Sequence, residues 1–140
     1  MWDINPRKME KAFLIDETLE LFFNIERGWI LKNNNEFIEI EDKIIFLFPL
    51  LEINFQDFKN TITSKPLGLE KFKKFPLLPL LKAPFEIEMA YWADLSLNWI
   101  NDSKSELNLT DWANSIKLAW MPQKLKHKFW RTFSKASRLT

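Results

Sequence analysis

Nine residues decide where this chain can bend. Its glycines are Gly28 and Gly68, and its prolines stand at positions 6, 49, 66, 76, 79, 84 and 122. Proline suits the first turn of a helix and breaks its interior, while glycine supplies a left-handed stop. Asn5-Pro6 therefore predicts a helix over residues 6–27, closed by Gly28. Ala12, Ile15, Leu19 and Phe22 fall on one face at helical spacing, widened by Met9, Leu14, Leu21 and Ile25. Glu10, Glu17 and Glu20 take the opposite side.

Residues 29–31 and 36–41 flank Lys32-Asn33-Asn34-Asn35, which predicts a hairpin because Asn tolerates left-handed turn geometry. Residues 44–48 are apolar on both faces and read as a doubly covered strand. Pro49 marks a bend, and the alternation of Leu51, Ile53 and Phe55 with polar neighbours suggests a fourth, edge-like strand. A short helix fits residues 56–63 and a turn fits 65–68. Residues 75–81 are too proline-broken for a regular element and read as extended chain packed on the core. Pro84 opens a nearly all-round apolar helix to about Asn101, suited to a central place or an oligomer interface. Residues 102–108 form a polar loop. Thr110 then caps a helix over 111–120, and Pro122 opens a last helix to Ser137. The fold class expected is α+β: an N-terminal helix, an antiparallel meander of three or four strands and a helical C-terminal half. At 140 residues with 46% apolar composition, one domain is expected.

The same inventory narrows the chemistry. There is no Cys, and there is one His. Thiolate catalysis, disulfides and Cys or paired-His metal sites are excluded, and two glycines are too few for a Gly-rich phosphate loop. No cofactor and no metal are expected. The start of the chain does not read as a secretory signal, and its apolar runs fall far short of the roughly 20 residues of a spanning helix, so a cytoplasmic place is expected. The acceptor patterns at Asn101 and Asn108 then carry no meaning.

Glu39, Glu41 and Asp42 close a strand, and Glu86 and Glu88 stand two apart at a helix start. Such carboxylates are ordinarily solvated, and residues two apart on a helix do not face each other. His127 could serve as a near-neutral base, but no nucleophile or orienting acid accompanies it in sequence. Seven tryptophans in a chain otherwise rich in Lys, Asn, Ile and Phe indicate a demand for large aromatic area. Trp92, Trp99, Trp112 and Trp120 suit a core; a Trp-lined pocket with carboxylates, in a small enzyme or ligand-binding domain, is the alternative.

One surface carries a pattern. Residues 112–140 hold seven Lys or Arg and no acid, so against a whole-chain charge of +1 the remainder carries −6. In the last helix Lys124, Lys128, Arg131, Lys135 and Arg138 step by fours and threes, which aligns them in a strip. Leu125, Phe129, Phe133 and Ala136 form another face, flanked by Trp130. The expected function is a small non-catalytic interaction or regulatory protein. Its contact with an anionic protein or nucleic acid runs through Lys124, Lys128, Trp130, Arg131, Lys135 and Arg138. Contact with an anionic membrane surface is a weaker expectation, and self-association through helix 84–101 a further one.

Overall fold

A computed structural model describes residues 8–41, 43–103 and 107–138, side chains 134–138 excepted. The chain forms two compact units, Met1–Pro76 and Leu77–Thr140. The first is a sheet with two helices, and the second is helical.

The sheet runs β1 (Met9–Leu14), β2 (Leu19–Asn24), β3 (Gly28–Asn33) and β4 (Glu36–Glu39), in that order and antiparallel throughout. The helix expected over 6–27 is therefore wrong: strands occupy residues 9–14 and 19–24. The cause is local. The Asp16 carboxylate accepts from the backbone N–H of Thr18 (2.7 Å) and of Leu19 (2.9 Å), which closes the first hairpin. Asn24 Oδ1 accepts from the N–H of Glu26 (2.9 Å) and Arg27 (3.0 Å), and Gly28 follows at φ 81°. Asp and Asn bound to the main chain in this way compete with helix, and the second turn is a three-residue hairpin loop. The N–H of Thr18, donating to Asp16, holds that carboxyl below its ordinary pKa.

Burial finishes the choice. β2 is central and packs apolar residues on both faces, with Leu21 opposite Leu31, Phe22 opposite Ile30 and Phe23 opposite Trp29. A helix would leave part of that run in water. The hairpin expected around Asn33 is present, with Asn34 left-handed at φ 57°.

Residues 44–48 are not a strand. Ile44–Glu52 is a 3₁₀ helix with Pro49 inside it, burying Leu47, Phe48, Leu50 and Leu51. Pro49 has no N–H for a ladder, and the short helix hides the apolar run without one. The expected strand over 51–55 gives way to α1 (Phe55–Thr63), which Asn54 caps by accepting from the N–H of Asp57 at 3.1 Å. After a turn comes α2 (Gly68–Lys73). Gly68 is required there, because a Cβ would stand 2.0 Å from the carbonyl oxygen of Ile62.

α1 and the residues that follow α2 cover one sheet face through rings: Phe13 meets Phe58 at 5.1 Å and Trp29 meets Phe75 at 5.4 Å. Trp29 Nε1 donates to the carbonyl of Lys71 at 2.8 Å. β1 carries a bulge between Lys11 and Phe13, and Lys65 Nζ donates to the carbonyls of Lys11 (3.3 Å) and Ala12 (2.8 Å) there.

The helical unit has α3 (Leu77–Glu86), α4 (Ala90–Ser103), α5 (Thr110–Ser115) and α6 (Gln123–Arg138). Residues 77–81 are helical, not extended. Pro79 sits in the first turn, where a missing N–H removes no bond. Pro84 does not open a helix but lies in the last turn of α3. The long helix expected over 84–101 is split at residues 87–89. There the N–H of Glu88 donates to the Phe85 carbonyl (3.3 Å) and that of Met89 to the Pro84 carbonyl (2.9 Å), with Glu88 left-handed at φ 58°. That bond pair is the Schellman helix stop, with glutamate where glycine is usual. α5 ends at Ser115 instead of Trp120, since Ile116 is extended.

The core of this unit centres on Leu80, Leu81, Leu97, Trp99 and Phe85. Ser96 Oγ donates to the Leu81 carbonyl at 2.7 Å, tying α4 to α3. No helix among the described residues is long and apolar enough to cross a membrane.

Candidate binding groove beside Trp130

α6 is held in place by three kinds of contact. Leu125 and Phe129 are buried, and Phe129 stands 5.6 Å from Phe85 and 4.7 Å from Phe133. Asn101 Nδ2 of α4 donates to Thr132 Oγ1 at 3.1 Å. Lys128 Nζ donates to Asp94 of α4 twice, at its carbonyl (3.1 Å) and its carboxylate (3.0 Å).

These contacts divide the residues of the expected basic strip. Lys124 and Arg131 are exposed. Lys128 is half-buried and already holds Asp94, so its charge is spent inside the unit. The side chains of Lys135 and Arg138 lie outside the described residues. Trp130 is 59% exposed. At about 100° per residue it falls roughly 120° from Lys124 around the helix, on the flank away from the strip. The aromatic anchor and the cations proposed to work with it thus face different directions.

On the flank of Trp130, α5 and α6 line an open groove of about 170 Å³. Buried Phe129 and Ala113 form its floor, and half-buried Ile116, Leu118 and Phe133 complete the apolar lining. Trp130 makes the lip, and Thr110 and Asn114 are the polar groups in reach. Ile116 and Leu118 reach the groove from beyond the end of α5, where the chain turns extended at Ile116. Lys126, one helical turn before Trp130, puts positive charge beside the groove, whereas Lys117 is exposed and does not line it.

The other candidates sit elsewhere. Trp99 is packed at 1% exposure, and Trp112 is half-buried edge-on to Phe85 at 5.4 Å. Trp92 stands edge-on to Tyr91 at 4.9 Å. The groove is therefore lined by Trp130 and not by Trp92, Trp99 or Trp112. Glu39 pairs with Arg27 at 3.0 Å, Glu41, Glu86 and Glu88 are exposed, and Asp42 lies outside the described residues. No group of three or more His, Cys, Asp or Glu among the described residues could hold a metal ion. His127 Nε2 lies 2.9 Å from Gln123 Nε2 on the surface. The Asn101 acceptor pattern lies inside α4, with Ser103 buried and donating to the Trp99 carbonyl.

Comparison with known protein families, curated proteins and solved structures finds no match.

Proposed function

We propose that this chain is a small binding domain for an acidic amphipathic protein segment. The apolar side chains of the segment enter the α5–α6 groove against Trp130, and its carboxylates meet Lys126. The observation that carries this reading is Trp130 itself: a large indole, mostly in water, at the lip of an apolar groove. Exposed aromatic area of that kind is the usual anchor of an interface. Binding is favoured over catalysis because the groove lining offers a hydroxyl and an amide but no acid, base or nucleophilic thiol. Lys126, one helical turn from Trp130 on α6, supports an anionic partner.

An NMR titration tests it, with an acidic amphipathic helical peptide as the probe. The indole N–H signal of Trp130 and the methyl signals of Ile116 and Leu118 should move together and saturate, and Trp130→Ala should weaken binding about tenfold or more. Shifts confined to Lys124 and Arg131, or tighter binding of a duplex oligonucleotide there, would replace this reading with a purely electrostatic one.

A further inference from the structure

We infer that a second copy of this chain fills the groove, through the corner between α3 and α4. This rests on the reading above and names a partner for the same groove. The corner spans residues 86–91, and its left-handed Glu88 turns three large side chains outward. Ile87 is 47% exposed, Met89 38% and Tyr91 59%. Glu86 and Glu88 are exposed among them. The corner is thus an apolar knob set between carboxylates.

The groove is its converse, an apolar lining with Lys126 beside it. Knob and groove match in polarity and are opposite in charge, the combination that both attracts and orients a partner. Glutamate in the left-handed position adds a second argument. A non-glycine residue held there is strained by roughly 1–2 kcal/mol, and glycine would relieve it. The glutamate keeps a charge beside Ile87 that glycine would remove.

Position favours a closed pair. Phe85, one residue before the corner, touches Phe129 of the groove floor. Knob and groove therefore belong to one region of the helical unit. Two copies related by a twofold axis can each offer a knob and receive one, so the contact forms twice and does not propagate. Self-association, expected from the apolar character of helix 84–101, takes this form: the exposed corner carries it, while Leu97, Trp99 and Ile100 are buried within the unit.

Sedimentation velocity of the full chain over a wide concentration range tests this. The wild type should shift from monomer to dimer. Ile87→Asp and Trp130→Ala should each remain monomeric where the wild type is dimeric, at unchanged melting temperature, since both side chains are exposed. An equimolar mixture of the two variants should recover a weaker pair, because one still has a groove and the other still has a knob. Lys126→Glu should weaken pairing, and adding Glu88→Lys should restore it. A strict monomer at the highest concentration overturns the inference, and so does a dimer that survives both single variants. The acidic peptide separates the two failures. If the chain is monomeric yet the peptide moves the Trp130 indole signal, only self-pairing falls. If the peptide leaves that signal unmoved, the groove reading falls with it.

Discussion

Like Asn34 and Leu67, Glu88 holds a left-handed backbone that its side chain disfavours. In the left-handed region its Cβ crowds the following carbonyl, and no turn bond depends on its identity. Glu88→Gly should therefore raise stability by about 0.5–1 kcal/mol in urea unfolding, after the added freedom of the unfolded chain is set against the relieved strain. The same change should weaken self-pairing, so stability and association should move in opposite directions. Asp16 makes a pH-dependent contribution of known sign. Its folded-state pKa is depressed by the Thr18 N–H, so its stabilisation is complete above the unfolded value of about 3.9 and fades as pH falls toward the folded value. Asp16→Asn can make the same turn without titrating. Its melting temperature should fall less steeply than that of the wild type below about pH 4.

At the scale of elements, α6 is where sequence and structure agree best. Leu125, Phe129 and Phe133 were separated from the cations at helical spacing, and the first two are buried while Lys124 and Arg131 face water. The hairpin around Asn34 was legible for a comparable reason, since three consecutive Asn leave few other conformations. The N-terminal segment was not. Ala12, Ile15, Leu19 and Phe22 satisfy a helical period, yet Leu21 and Phe23 also serve a strand pleat. The choice between them fell to Asp16 and Asn24, whose side chains bind the main chain in turns. The groove was legible only on one side. Trp130 stands out in the sequence, but Ile116 and Leu118 join the lining past the point where α5 stops, and no proline or glycine marks it. Lys128 shows how tertiary contacts reassign a residue. Spaced as a member of a surface strip, it instead joins α6 to α4 through Asp94. Lys128→Ala should lower stability by about 1 kcal/mol, measured by chemical unfolding, because a half-buried ion pair with two hydrogen bonds is lost. The effect should shrink in the Asp94→Ala background, which a double-mutant cycle would read directly.

For the molecule as a whole, the expectation of one domain becomes a question of cooperativity. If the chain is one domain, calorimetry and circular dichroism should report a single coincident transition with matching enthalpies. Two separable transitions would make Met1–Pro76 and Leu77–Thr140 independent folding domains, and each fragment would then be expected to fold alone. The sheet carries a second consequence, for behaviour in a crowded solution. An open four-stranded sheet has two edges, and each is a template on which another chain can add a strand. Here one edge, β4, is four residues long with glutamate at both ends. The other, β1, is bent by its bulge, and the ammonium of Lys65 occupies two of its carbonyls. A strand arriving from a neighbour would have to displace a bound charge on one side and approach carboxylates on the other. Lys65 is thus a guard against fibre growth as much as a link between a turn and a strand.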